Sequence, residues 1–382
     1  MPTGWTECDE RQFERVKASY LARGRPPRKA AELAARLVNK QRRSTRRDQE
    51  GRVTKMVRIG YALSSEEHEP RRLVELAQAA EETGFEFALI SDHYHPWIDA
   101  QGHSAFVWSV LGGIANATTK LEVGTGVTCP MLRIHPAIIA QAAATVGCLM
   151  PGRFFLGVGT GENLNEHILG DKWPEHEVRS EMLEESLEVI RLLWEGEQVS
   201  HQGPYYTVEN ARIYDVPDEL PPIHVAASGP RAAELAGRIG DGMISTAPER
   251  GLVEGFRGAG GTDKPLYGQL TVCWAEAREA AMKTAHEIWP TAAIRGEASQ
   301  ELPAPAHFEQ LAQMVTPEAV AESVICGPDP EPVLEKIREF EEAGFGNVYL
   351  HQVGSDQDGF FRFAERELLP AIKRTPASAG SR

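Results

Sequence analysis

Ser91-Asp92-His93-Tyr94-His95-Pro96-Trp97 decides how this chain is read. The run before it, Glu86-Phe87-Ala88-Leu89-Ile90, is short, apolar and preceded by Gly84, the pattern of a buried parallel strand. An acid, two imidazoles and an indole therefore arrive together where that strand must end. Pro96 restrains the backbone beside Trp97. In a barrel of alternating strands and helices, chemistry collects at the strand C-termini. A lone histidine in a polar loop would be unremarked; this cluster counts because other strand ends repeat it.

Outward from this stretch the pattern alternates. Val57–Ala62 reads as a strand and Pro70–Glu82 as a helix with Leu73, Leu76 and Ala79/Ala80 on one face, closed by Gly84. Phe85–Ile90, Leu121–Val127, Arg153–Val158, Ile223–Ala227, Gly242–Ser245, Leu266–Trp274 and Asn347–His351 supply the remaining strands. Phe106–Ala115, Pro136–Leu149 and Glu181–Trp194 read as helices. Eight strand–helix units in about 320 residues is the count of a (β/α)₈ TIM barrel, an α/β fold. Val199–Val208, with a turn at Gly203-Pro204, reads as an inserted hairpin. Trp289–Val315, rich in Pro and Ala, is a long stretch between the last two strands. No repeat of solenoid period is present.

The 382 residues carry a net charge of −15, unevenly spread. Residues 1–55 are basic, at about +8, which leaves about −23 on the rest. This first segment reads as two short amphipathic helices and a linker, Arg42–Arg52, ahead of a barrel over 56–375 and a disordered tail over 376–382. It resembles small basic helical proteins of bacteria, some called plasmid-stabilisation proteins. It carries no aromatic stacking pattern or helix-turn-helix spacing, so no nucleic-acid partner is expected. Cys8, Cys129, Cys148, Cys273 and Cys326 are odd in number and scattered. That argues against a disulfide framework and for a reducing cytoplasm. No apolar run approaches the length of a membrane span.

The strand ends converge on one face of such a barrel. The second gives Asp92, His93 and Trp97; the third Gly126, Val127, Thr128, Cys129 and Pro130. The fourth gives Gly159-Thr160-Gly161-Glu162-Asn163-Leu164-Asn165-Glu166, the fifth Ala227-Ser228-Gly229-Pro230, the sixth Ser245-Thr246. Ser228-Gly229 at a helix start offers unpaired N–H groups to a phosphate. Gly126 and Gly161 let backbone approach a flat ring. Glu162 and His93 are two titratable groups over one cavity, the requirement of acid/base chemistry. Glu162 alone could equally be a solvated loop acid. Gly157–Gly161 lacks the spacing of a Rossmann fingerprint. His224 and His351 read as satisfied strand histidines, and Trp194, Trp274 and Trp289 as packing. His93-x-His95 is also a ligand spacing of barrel metal hydrolases, a rival of another class, although the pattern starts on the wrong strand. No metal is expected.

Four stretches carry a resemblance: Ser91–Trp97, Thr125–Ala137, Phe155–Glu166 and Ala226–Pro230. In order and spacing they are similar to the luciferase-like (β/α)₈ superfamily, specifically its coenzyme F420-dependent glucose-6-phosphate dehydrogenase branch, from about Arg58 to Ile372. The resemblance implies an oxidoreductase using a 5-deazaflavin, a hydride carrier with an acidic oligoglutamate tail. An FMN-dependent monooxygenase of the superfamily is the alternative. By resemblance, Asp92, Cys129, Thr160, Gly161, Asn165, Ser228, Gly229, Arg231 and Ala232 hold the coenzyme. Gly126–Val127 matches a non-prolyl cis peptide against its ring. His93 matches the active-site imidazole, Trp97 the indole beside it, Glu162 the second acid/base. A raised Glu162 pKa is expected from a dry pocket.

The branch clamps a sugar phosphate with two lysines and an arginine. Here those positions are Glu249, Ser299 and Ser323, and of the substrate residues only Thr246 is kept. A dianion beside Glu249 without a cation is repelled, so a small organic substrate, an alcohol or carbonyl or an activated C=C compound, other than glucose 6-phosphate is expected. Helix Phe106–Ala115 carries more apolar surface than one stripe needs, which points to a homodimer. The basic segment enters at the barrel's opposite end and is expected to stay away from the coenzyme.

Overall fold

The computed structural model describes residues 57–294 and 296–374, with scattered residues between 10 and 38. The linker 42–55, the tail 376–382 and Arg295 lie outside the described residues. The chain divides into two compact units, the second beginning at Val57. In the first, the described residues of 10–21 and 27–38 are helical, and Phe13, Ala34 and Val38 form a small core.

The second unit is a closed barrel of eight parallel strands. They are β1 (Arg58–Leu63), β2 (Phe87–Ile90), β3 (Glu122–Thr125), β4 (Phe154–Val158), β7 (Ile223–Ala226), β8 (Gly242–Ser245), β9 (Leu266–Cys273) and β11 (Asn347–Gln352). They pair in that order, β11 returns to β1, and the short β10 (Ile325–Cys326) adds to β9 outside the ring. β5 (Val199–Gln202) and β6 (Thr207–Ala211) form the expected antiparallel hairpin.

Helices wrap the strands because their apolar faces have nowhere else to go. α1 (Pro70–Thr83) begins on proline, buries Leu73, Leu76, Ala77 and Ala80, and ends where Gly84 turns left-handed at φ 102°. α2 (Val107–Ala117), α3 (Pro136–Leu149), α4 (Asn163–Glu166), α5 (His176–Leu193), α6 (Pro230–Ile239) and α7 (Arg250–Phe256) follow the next strands. Phe87, Leu89, Phe155, Ile244, Tyr267 and Tyr349 pack as one cluster. A side chain on Gly60 or Gly124 would collide with the rings of Phe87 or Phe155, so glycine lets the barrel close around them. The interior is filled, and only its upper rim is free for chemistry.

The long stretch rich in Pro and Ala is helical in pieces. After α8 (Arg278–Ile288) come α9 (Ala298–Glu301), α10 (Pro305–Ala312) and α11 (Pro317–Ala321), before α12 (Glu331–Ala343), α13 (Gln357–Phe363) and α14 (Leu369–Arg374). The pieces roof the β2 and β4 loops. Phe308 packs with Ile98 and Leu164, joined by Trp97, Ile294 and Leu302. Asn163 donates to the Glu301 carbonyl at 2.9 Å, and the Asp99 N–H donates to Glu309 at 3.1 Å.

Candidate active site

His93 stands just beyond β2 with its side chain 10% exposed. Its Nδ1 lies 3.2 Å from Oε1 of Glu66, without the alignment of a hydrogen bond. Glu66 is buried beyond the end of β1 and accepts from Ser64 Oγ at 3.0 Å and Ser91 Oγ at 2.6 Å. Burial pushes the Glu66 carboxyl up. His93, the Ser91 hydroxyl, a backbone N–H and His351 outweigh it and hold the group below its usual range. Trp97 meets the His93 ring edge to face at 5.3 Å, and the roof's Phe308 at 5.2 Å. Its backbone N–H donates to Gln101 at 2.8 Å. His95 turns elsewhere: its Nδ1 is 2.9 Å from the Leu164 carbonyl, and its ring stacks on His167. The two histidines of the His-x-His pair thus have different partners, and among the described residues no group of three or more metal-ligating side chains is found.

The other half of the rim comes from β2, β3 and β4 together. Asp92 is buried, accepting from Thr128 Oγ1 at 2.7 Å and pairing with Arg133 Nη2 at 2.8 Å. Arg133 also reaches Glu166, through Nε at 3.4 Å and its backbone N–H at 3.0 Å. The side chains of Asp92, Arg133 and Glu166 are 0%, 5% and 1% exposed. Burial raises Glu166 to about 7. Arg133 pulls back against it, while Asp92 and Glu162 add to the rise. Glu166 lies four residues beyond Glu162 in the same motif. Glu162 itself is half-buried at the start of α4, because it belongs to the loop and not to the helix floor. Burial and the charges of Glu166 and Glu162 hold the Cys129 thiol well above its usual range.

The Gly126–Val127 peptide is cis. Gly161 has φ 70°, and a Cβ there would lie 2.6 Å from Cys129 Sγ and 3.1 Å from Glu166 Cγ. A larger residue would be strained in both respects. Asn165 is buried; its Oδ1 accepts from the N–H groups of Tyr94 at 2.8 Å and His95 at 3.1 Å, and its Nδ2 has no partner. Thr160 lies half-buried beside Gly161. Ser228 is exposed and Gly229 caps α6, with Arg231 and Ala232 in its first turn. Arg231 pairs with Glu177 at 2.9 Å on the surface.

The substrate candidates are more scattered. Thr246 is exposed after β8, and Glu249 is exposed as the N-cap of α7. Ser299 sits in α9 with its hydroxyl donating to the Gly296 carbonyl at 3.2 Å, and Ser323 is exposed just after α11. His351 is satisfied at one nitrogen only: Nε2 is 3.0 Å from Glu67, and Nδ1 has no partner. Trp194 donates to the Ala140 carbonyl at 2.8 Å and is buried, as a packing residue should be. Trp289 packs on His351 at 4.5 Å.

Two residues of this rim escaped the strand-end reading, Glu66 and Arg133, and Glu166 stood in it without a role. Glu66 was in reach of the same rule, since it lies three residues beyond β1. Arg133 and Glu166 stand inside the quoted motifs, but only their mutual contact marks them.

The family model for luciferase-like monooxygenases matches residues 51–347. The chain belongs to that family. Among its relatives is the F420-dependent glucose-6-phosphate dehydrogenase of Segniliparus rotundus, 37% identical over 332 residues, covering 83% of this chain and 98% of the relative. The enzyme of the same name from Mycobacterium tuberculosis (strain H37Rv) is 36% identical over 334 residues, with the same coverage. A solved F420-dependent secondary alcohol dehydrogenase, in complex with an F420-acetone adduct, superposes with a TM-score of 0.77 at 30% identity, covering 83% of this chain and 99% of that one. The F420-dependent tetrahydromethanopterin reductase of Methanopyrus kandleri shares the fold, with a TM-score of 0.68 at 22% identity and coverage of 83% and 99%.

Proposed function

We propose that this luciferase-like protein is a coenzyme F420-dependent oxidoreductase that exchanges a hydride with a small alcohol or carbonyl compound. The observation that carries the reading is the buried Glu66 behind His93, with Trp97 against the same imidazole, at the rim of a luciferase-like barrel. Coenzyme F420 would supply a deazaflavin carbon that accepts or returns the hydride. The rim fits such a group: a buried Asn165 Nδ2 lacks a partner, Gly161 cannot carry a side chain, and the first turn of α6 offers N–H groups to an anion. Asp92, Gly126, Val127, Cys129, Thr160, Gly161, Asn165, Ser228, Gly229, Arg231 and Ala232 would hold it.

With Nδ1 facing a carboxylate, His93 keeps its proton on that nitrogen and presents Nε2 as the base toward a substrate hydroxyl. Glu66 then balances the imidazolium. Trp97, fixed by Phe308 and Gln101, covers and orients the substrate. Glu162, half-buried at the mouth, would exchange the second proton.

The relatives' names carry glucose 6-phosphate; the proposed substrate departs from them on three positions. Glu249, Ser299 and Ser323 offer a phosphate dianion one repelling carboxylate and no cation. The test is titration of the purified protein with F420 and with FMN, then a screen of alcohols, carbonyls and glucose 6-phosphate followed by deazaflavin absorbance. F420 binding with turnover of an unphosphorylated alcohol is the expected result. FMN binding with oxygen uptake would replace the reading, and efficient oxidation of glucose 6-phosphate would overturn the substrate choice.

A further inference from the structure

Arg133 stands between two buried carboxylates and serves them unequally. Asp92 takes its Nη2 at 2.8 Å, whereas Glu166 has Nε at 3.4 Å and the backbone N–H at 3.0 Å. The three residues come from the ends of β2, β3 and β4, so one guanidinium ties three rim segments together. Glu166 also lies directly under the ring-binding candidates. Cys129 Sγ occupies the space a Gly161 side chain would need, Glu166 Cγ borders it at 3.1 Å, and Asn165 with its unpaired Nδ2 precedes Glu166 in α4. The groups that face it are Arg133 and Cys129 beyond β3, Asp92 beyond β2, Glu162 before α4 and the Tyr206 hydroxyl of the hairpin.

We propose that Glu166 is a positioning residue for the deazaflavin, and that its charge, acting through Arg133 and the Gly161 backbone, sets how tightly the coenzyme is held. This rests on the F420 reading above. A neutral Glu166 leaves Arg133 and Asp92 as a balanced pair. An ionised one leaves uncompensated negative charge, beside Glu162, in a water-poor floor beneath an acidic coenzyme. Repulsion in such surroundings is weakly screened. Affinity should therefore fall as pH rises through the range in which Glu166 loses its proton, which burial places near neutrality.

The experiment is a fluorescence titration of F420 into wild type and Glu166→Gln between pH 5.5 and 8.5. The coenzyme's own titration is common to both proteins and cancels in the ratio of their dissociation constants. Wild type should bind as tightly as E166Q at pH 5.5 and roughly fivefold or more weakly at pH 8.5. A ratio that does not change with pH overturns the inference while leaving the F420 reading intact. A wild type that binds no F420 at any pH overturns both. Arg133→Lys keeps the positive charge but not the fork, and should weaken binding throughout and move the midpoint of the profile. If E166Q does not fold, the R133K profile decides alone: an affinity and midpoint equal to wild type would overturn the inference.

Discussion

Glu66 and Glu166 are both buried carboxylates, and their neighbours drive them in opposite directions. Glu66 has His93 and two serine hydroxyls and is held ionised; Glu166 shares one arginine with Asp92 and is raised to about 7. If His93 is the base, His93→Ala should lower turnover by about 10²–10⁴-fold while F420 affinity stays within about twofold, read by steady-state kinetics and fluorescence titration. Unchanged turnover would remove His93 from the chemistry. Glu166 also has a stability consequence. Its pKa is 4.5 when unperturbed and about 7 in the folded protein. Between those values the unfolded chain has released a proton that the folded one retains, so Glu166 makes folding less favourable as pH rises from about 4.5 to 7. Above 7 that loss is complete. Glu166→Gln should therefore stabilise the protein at pH 8 by on the order of 2–3 kcal/mol and change little at pH 4.5. Denaturant melts at the two pH values check this; equal effects at both would contradict it.

At the scale of elements, the site is a strand-end rim with a helical roof. α10 reaches the rim through Phe308, fully buried against Ile98 and Leu164 and edge-on to Trp97. Phe308→Ala should cost about 3–5 kcal/mol of local packing. Because Phe308 packs edge-on to Trp97, the indole proposed to orient substrate, KM for the alcohol should rise at least fivefold with F420 affinity nearly unchanged. A variant losing both equally would show that the roof holds the whole rim. Only part of this element was legible. α9, α10 and α11 span four, eight and five residues, at most about two helical turns each, so apolar periodicity cannot separate them from a loop. What makes them helical is docking on the β2 and β4 loops, a long-range contact.

For the whole molecule, the N-terminal residues form a unit with a core of their own. Deleting residues 1–55 should leave F420 affinity and turnover within about twofold, since each candidate site residue lies in the second unit. A large loss in either measurement would assign the basic segment a part in binding. Phe106, Ile138 and Leu149, on or flanking α2 and α3, are 55%, 56% and 50% exposed. If they form one face, that face would suit a partner copy, and light scattering should give twice the 42.0 kDa chain mass. A monomer at micromolar concentration would remove the homodimer from the picture.

By itself the sequence determined the barrel and the rim. Strand-sized apolar runs alternating with helical periodicity leave few other folds, and the strand-end rule then places Asp92, His93, Trp97, Glu162 and Asn165 on one face. Their types and positions are local properties, carried by each segment separately. The burial of Glu166 and its rise to about 7 were decided only by the tertiary structure. Glu162 and Glu166 share one motif and one side-chain type. Glu162 is half-buried at the start of α4, whereas Glu166 is buried near Gly161 and meets Arg133 from beyond a different strand. A pKa depends on solvent exclusion and on charges brought from distant parts of the chain, and neither is encoded in the spacing of a single segment.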